Sequence, residues 1–386
     1  MSWTSSNPRR FVSMWALLAL ITLFAQAQEP IDQETQQERA SESPQQEKTK
    51  KEKRGSLVAA PIPLSSPAIG SGAVLAGGYI FALRKSDKIS QPSTIGGAVL
   101  ITDNGSRAWG LGGEFYFKQD AYHITTIYFR GNLNYDFYGT GTASGDAGLK
   151  LPLKQTGELF LGDFLYRLRW KISVGPRFMT GNSSITLRSE NESDVVPPPD
   201  TGIQTRLTAV GFHANRDTRL NRFYPEEGTL FDFTSMFFSD ALGSKYSFES
   251  YRFTFNYYHS LGTKQVLAYN FFNCATAGSA PFYGQCIFGT NNELRGYVAG
   301  RYIDSNMFAT QLEYRRTLPW RFGMVAFVGV GEVAPGLGEI QADNLLPAGG
   351  GGLRFKISQK YKLNFRADFA QGKDGHTFSM GIGEAF

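Results

Sequence analysis

The sequence predicts an all-β fold, a transmembrane antiparallel β-barrel of about sixteen strands behind a short disordered segment. Three observations predict it. Apolar and polar residues alternate along many segments, the period of a strand with two unlike faces. No apolar run reaches the roughly twenty residues that a membrane helix needs. The chain opens like an exported protein, and an alternating segment carries it to Phe386, like the last strand of an outer-membrane barrel.

The opening comes first. Arg9-Arg10 precede the apolar run Phe11 to Phe24 and then Ala25-Gln26-Ala27. A positive start, a short apolar stretch and a small-x-small site form a secretory signal peptide over 1–27. The apolar run is too short for a comfortable membrane helix. Two arginines alone do not define a twin-arginine leader, so ordinary Sec export is the reading. Cleavage leaves 386 − 27 = 359 residues and takes the formal charge from +5 to +3, since two arginines and no acids are lost. Such a mild excess gives no argument for nucleic acid.

Residues 28–56 are rich in Glu, Gln, Lys and Ser. They cannot bury enough apolar surface to offset the entropy of ordering, so a disordered periplasmic tether is expected. Its basic end (Lys48, Lys50, Lys51, Lys53, Arg54) reads as a solvated charge run, with contact to anionic headgroups as the alternative.

From 57 onward Phe, Tyr and Gly become abundant, and 57–386 is assigned to the barrel. Strands are expected near 57–64, 72–84, 93–103, 106–118, 122–138, 155–167, 169–181 and 203–217. They continue near 228–240, 246–261, 264–278, 306–318, 321–333, 346–358, 361–372 and 376–386. Ile127, Phe129, Leu133, Tyr135 and Phe137 alternate with Tyr128, Arg130, Asn132, Asn134 and Asp136. Tyr251, Phe253, Phe255 and Tyr257 alternate with Ser250, Arg252, Thr254 and Asn256. Leu363, Phe365, Ala367 and Phe369 alternate with Lys362, Asn364, Arg366 and Asp368. The apolar sets are expected to face lipid and the polar sets the lumen. One alternation runs unbroken from Phe160 to Val174 and is divided near 167–170. Trp109, Trp170, Tyr224, Tyr302 and Trp320 fall near strand ends, where an interface girdle or core packing would use them.

An even strand count puts both ends in the periplasm, where short connections are expected. The connections 139–154, 182–202, 279–305 and 334–345 fall outside and are longer. Against the rule, 85–92 and 218–227 are long yet fall inside.

Cys274 and Cys286 are the only cysteines. An oxidising compartment favours a disulfide over two free thiols. Closing so short a loop is worth about 3 kcal/mol in the chain-entropy model. A metal pair has no His nearby, and neither a metal nor a cofactor is expected. The glycines at 349–352 precede no Gly-Lys-Ser/Thr, so a phosphate cradle is not indicated. They are expected to allow close backbone approach, with room for a returning loop as one use. His123, His213, His259 and His376 belong to no catalytic motif, and no enzyme is expected. The alternative is a lipase that assembles Ser and His from neighbouring strands.

Four motifs carry a resemblance. They are Leu294-Arg295-Gly296-Tyr297 with Gly300-Arg301-Tyr302, then Gln311-Leu312-Glu313-Tyr314-Arg315. The others are Asn215-Arg216-Asp217-Thr218-Arg219 running to Pro225-Glu226-Glu227-Gly228, and the ending from Leu363 to Phe386. In this order the chain resembles the BamA/TamA superfamily barrel of bacterial surface antigen type, which includes two-partner secretion transporters. The resemblance implies that the loop returns into the lumen, where Arg295 meets acids of the inner wall. Glu313 is the expected acceptor, because its alternation with Leu312 and Tyr314 turns it inward. A guanidinium and a carboxylate can join there through two charge-assisted bonds. Gly329 stands where many members have Asp, leaving Asp368 or Glu332 as substitutes. Phe378, Ile382 and Phe386 would form a C-terminal signal for the barrel assembly machinery.

Related insertases carry periplasmic POTRA modules, whereas only the tether precedes this barrel. The implied function is assisted insertion or transport of protein or lipid at the outer membrane. A weak seam between the first and last strands would serve it, since Pro61 and Pro63 remove two donors from a short first strand. A loop-plugged passive or gated pore is the alternative, and an outer-membrane enzyme the third reading. Expected partners are outer-membrane lipid, the assembly machinery, and a periplasmic partner or substrate polypeptide. Nucleic acid is not among them.

Overall fold

The computed structural model describes residues 55–386 apart from 67–69, 85, 88, 189–200, 222, 291–292 and 360–361. The leader over 1–27 and the segment 28–54 lie outside the described residues. The strands are β1 (Gly55–Ser66), β2 (Gly70–Phe81), β3 (Ser93–Thr102), β4 (Arg107–Phe117), β5 (Tyr122–Phe137) and β6 (Leu151–Arg167). Then follow β7 (Ile172–Leu187), β8 (Gln204–Asp217), β9 (Gly228–Phe238), β10 (Phe248–Ser260) and β11 (Gln265–Gly278). A two-residue ladder, β12 (Cys286–Ile287) with β13 (Ile303–Asp304), lies within the long loop. The chain ends with β14 (Asn306–Thr317), β15 (Phe322–Ala334), β16 (Leu346–Ser358), β17 (Leu363–Gly372) and β18 (Gly375–Ile382). β1–β11 and β14–β18 make one antiparallel barrel of sixteen strands, each paired to its sequence neighbours and closed by β18 on β1.

All sixteen expected segments are strands, with shifted edges. β6 starts at Leu151 and β7 runs to Leu187. The division between them falls at Leu168–Lys171, where Trp170 and Lys171 take left-handed backbone angles of 60° and 61°. β1 is not short: it holds twelve residues, all paired with β2, and takes in Gly55 and Ser56. β18 ends at Ile382 rather than at the terminus.

Most faces follow alternation. Phe231, Phe233, Phe237, Tyr257, Leu353 and Phe369 are exposed on the outer wall, while Asn256, Asn270, Arg354 and Asp368 are buried inside. The upper half of β5 is a correction. Ile127, Phe129, Leu133, Tyr135 and Phe137 are buried in the interior, and Arg130 points out with its side chain 63% exposed. β5, β6 and β7 hold 16, 17 and 16 residues, whereas a tilted strand spans the bilayer with about 9–11. The remainder stands in water, where apolar side chains turn inward. There they meet Leu151, Leu153, Ile185, Leu207, Phe248, Tyr283 and Ile287 in one cluster, so the outer end is capped by a hydrophobic core.

The two long inner connections also have reasons. In 82–92, Asp87 accepts from the backbone N–H of Gln119 at 2.9 Å, and Ser90 Oγ accepts from that of Asp120 at 2.7 Å. They brace the turn Lys118-Gln119-Asp120, which holds three successive left-handed residues. In 218–227, Asn221 accepts from the N–H groups of Phe223 and Tyr224 at 2.8 and 2.9 Å. The segment then reaches across the inner mouth: the Tyr224 hydroxyl lies 3.4 Å from that of Thr317, and Glu226 pairs with Lys362 at 2.6 Å.

Candidate functional site

β14 turns Gln311, Glu313 and Arg315 inward, because Leu312 between them takes the lipid side. By the same alternation β17 supplies Arg366 and Asp368, and β16 supplies Arg354. These groups form one buried patch of inner wall. The loop between β11 and β14 returns onto it. Arg295, only 5% exposed, donates to Glu313 at 2.5 Å, Asp368 at 3.1 Å and Gln311 at 3.2 Å. Its guanidinium carbon also lies 3.5 Å from the centre of the Phe327 ring, a cation–π geometry. Gln311 in turn donates to the Glu293 carbonyl at 2.8 Å.

The acids are shared. Glu313 also accepts from Arg315 at 2.6 Å, and Asp368 from Arg354 at 2.5 Å, with Arg366 3.7 Å away. Of the two candidate substitutes at position 329, Asp368 takes the role and Glu332 does not. Glu332 instead accepts from the Gln341 N–H at 3.0 Å. Gly329 is itself explained, since a Cβ there would come within 2.6 Å of Leu294 Cδ1 and 2.3 Å of the Thr310 carbonyl oxygen. The missing carboxylate leaves space for the loop's leucine.

The rest of the motif is seated by backbone and aromatic contacts. Gly296 has φ +111°, a region that disfavours side chains, and lies against Ala348 and Gln371. Tyr297 donates to the Pro347 carbonyl at 2.6 Å and accepts from the Lys373 N–H at 3.1 Å. Gly372 makes room for that ring. Two of the 349–352 glycines allow the expected close backbone approach, but not for the loop: a Cβ on Gly352 would strike the Ala367 carbonyl, Asp368 and Arg354, and one on Gly350 would strike the Phe369 carbonyl and Phe327. Those two make room for the wall's own residues. Cys274 and Cys286 are disulfide-bonded, tying the start of the loop to β11. Tyr302 is fully buried among Phe288 and Tyr297, and its hydroxyl lies within hydrogen-bond reach of the carboxylates of Asp374 at 2.6 Å and Asp146 at 2.9 Å. Asp146 lies on the short helix α1 (Thr142–Ala147). Tyr302 and Tyr224 are therefore not girdle residues, whereas Trp170 and Trp320 are 77% and 76% exposed.

Phe378 is exposed on the outer wall of β18, and Ile382 ends that strand. Phe386 is elsewhere. Gly383, with φ +86°, turns the chain away from the strand. Glu384 then accepts from Arg354 and Asn364 at 2.7 Å each. The Phe386 main-chain oxygen accepts from Arg315 at 2.9 Å. A salt link inside the mouth outweighs continued alternation.

A second inner-wall network has no signature in the sequence. Arg177 forms two 2.6 Å bonds with Asp163, and His213 lies between Asp163 at 3.5 Å and Asp232 at 3.0 Å. The three strands that carry Asp163, Arg177 and His213 were assigned, but nothing in their spacing joins these groups. Cross-strand register does.

A sixteen-stranded barrel whose long outer loop returns to an arginine-pinned seat on its own inner wall defines a class of membrane barrel. The chain belongs to the Omp85 superfamily, whose domain model matches residues 103–386. Among solved structures it is similar to BamA from Haemophilus ducreyi lacking POTRA domains 1–3. The TM-score is 0.57 at 14% identity, over 85% of this chain and 70% of that one. It is similar also to CdiB from Acinetobacter baumannii, with a TM-score of 0.57 at 12% identity over 86% of this chain. For CdiB from Escherichia coli the TM-score is 0.56 at 10% identity over 86% of this chain. The chain spans 60% and 63% of the two CdiB chains. At these identities the likeness is one of fold. No curated protein matches the chain.

Proposed function

We propose that this barrel resides in the outer membrane and assists the insertion or transport of protein or lipid there, through the β1–β18 seam rather than along the barrel axis. One observation carries this reading. β1 and β18 share a single registered pair, Ser65 with Met380, whereas β17 and β18 share eight. Pro61 and Pro63, two apart, lack an N–H on the same side of β1. Since β1 is fully laddered to β2, that side faces the seam.

Magnitudes separate the two routes. A ladder bond is worth about 0.5–1.5 kcal/mol net, so a seam with almost none has little to lose on parting. The axial route requires removing Arg295 from three acceptors, and breaking one buried ion pair costs about 3–5 kcal/mol. It must also unpack the core that caps the outer end. A steady pore is therefore the weaker reading.

The test is a Ser65→Cys/Met380→Cys pair in a strain lacking the gene, with each single cysteine as control. Oxidation should link the pair and abolish complementation of the outer-membrane protein and lipid profile. Full complementation by the linked barrel would overturn the seam route.

A further inference from the structure

The two ends of the barrel carry opposite charge. The inner connections join β2 to β3, β4 to β5, β6 to β7, β8 to β9, β10 to β11, β14 to β15 and β16 to β17. Their described residues hold 8 Lys and Arg against 4 Asp and Glu, a net of 8 − 4 = +4. The described residues of the connections at the outer end hold 6 against 8, a net of 6 − 8 = −2. The whole chain is only +5, so the imbalance lies in how the charge is distributed.

The inner cations stand beside an outward aromatic belt. Arg169 and Lys171 are exposed on either side of Trp170. Trp320 takes φ +66°, packs tilted 5.4 Å from Phe322 and edge-on 6.3 Å from Phe355, and is followed by Arg321. The Lys118 ammonium lies 5.1 Å from the centre of the Tyr122 ring, which itself packs on Phe117, Phe164 and Tyr166. A cation next to a ring at the edge of the hydrocarbon zone sits at headgroup depth, where phosphates are.

We propose that the inner rim is a binding collar for anionic phospholipid of the periplasmic leaflet, with Lys118, Arg169, Lys171 and Arg321 meeting headgroup phosphates while Trp170 and Trp320 hold the depth. Charge complementarity favours this occupant over an acidic polypeptide, because Lys118, Arg169 and Lys171 flank lipid-facing rings rather than the lumen mouth. At the mouth, basic groups are already engaged: Lys362 with Glu226, and Arg219 with Asp217 at 2.9 Å. The inference rests on the barrel spanning a membrane and is independent of the seam.

The full chain is reconstituted in phosphatidylcholine bilayers containing spin-labelled phosphatidylglycerol or spin-labelled phosphatidylcholine. The motionally restricted fraction of each label gives a relative association constant. Phosphatidylglycerol should be preferred by about five-fold for each engaged cation at low salt, and the preference should collapse at high salt. Lys118→Gln/Arg169→Gln/Lys171→Gln/Arg321→Gln should bring it close to unity, with heat-modifiable gel migration retained as proof of folding. Arg169→Lys/Arg321→Lys should keep it, and Lys245→Gln on the outer end should leave it unchanged. Equal association of both labels with the native barrel overturns the collar, as does a preference that survives the quadruple substitution. The readout is lipid association, so its failure is separable from failure of the seam-linking experiment.

Discussion

At the scale of single residues, Arg295 organises the lumen because its five donors are spread over three acceptors. Arg295→Met keeps length and apolar stem but strips the charge from between Glu313 and Asp368. It should cost about 3–5 kcal/mol of loop anchoring and make the Tyr297 peptide sensitive to limited proteolysis; unchanged digestion would refute the pin. Reversing the pair, Arg295→Glu with Glu313→Arg, should not rescue it. Glu313 also holds Arg315 and lies 4.0 Å from Arg354, so an arginine there would face two like charges. Gly329→Asp should loosen the same loop by evicting Leu294, read by the same digestion. Arg295 and Glu313 were legible in the sequence: one stands in a recognisable motif, and the other alternates with lipid-facing neighbours. Arg354 and Arg366 were not, because each looks like an isolated cation on its strand. Only the register β16–β17 brings Gly352 opposite Asp368 and frees the space that Arg354 enters.

At the scale of elements, strand existence was readable and strand orientation was not always so. Alternation fixed β5, yet the meaning of its faces reversed where the strand leaves the bilayer. A period of two cannot report whether water or lipid lies outside. Turn lengths misled for a related reason: 82–92 is long because it serves another turn. Backbone N–H groups of Ser90 and Gln119 push the Asp87 carboxyl down to about 2. Its folded value lies below the unfolded one of about 3.9, so its bracing is complete above about pH 4 and fades as pH falls through about 2. The group is exposed, so the energy is small and the local signal is the one to measure. The Gln119 amide shift, followed by NMR in micelles, should titrate with one inflection near that depressed value, and Asp87→Asn should leave it flat. An inflection near the ordinary carboxylate value would show that the brace is absent. Gln119→Gly tests the strain it braces. Relief of a left-handed conformation, worth about 1–2 kcal/mol, competes with about 0.5–1 kcal/mol of lost chain stiffness. A small rise in thermal resistance is expected, and a fall would mean that the turn is not strained.

At the scale of the whole molecule, the barrel is closed at its outer end by two separate devices that act on one loop. The disulfide holds the loop's start to β11, and Arg295 holds its middle to β14 and β17. The chain-entropy term for the disulfide is about 3 kcal/mol, comparable to the ion-pair anchoring, so neither should suffice to open the lumen when lost alone. Behind both lies the outer hydrophobic core, in which each buried aliphatic or aromatic side chain contributes about 1.5–3 kcal/mol. Planar-bilayer recordings should therefore show no steady conductance from the native barrel. Cys286→Ser alone and Arg295→Met alone should each leave it closed or briefly flickering. The double variant should admit intermittent openings, because the loop then depends on packing alone. A large steady conductance from the native protein would contradict the plug and restore the axial pore. A double variant as silent as the native barrel would place the closure in the hydrophobic core, and the arginine would then be a register pin for assembly rather than a lock.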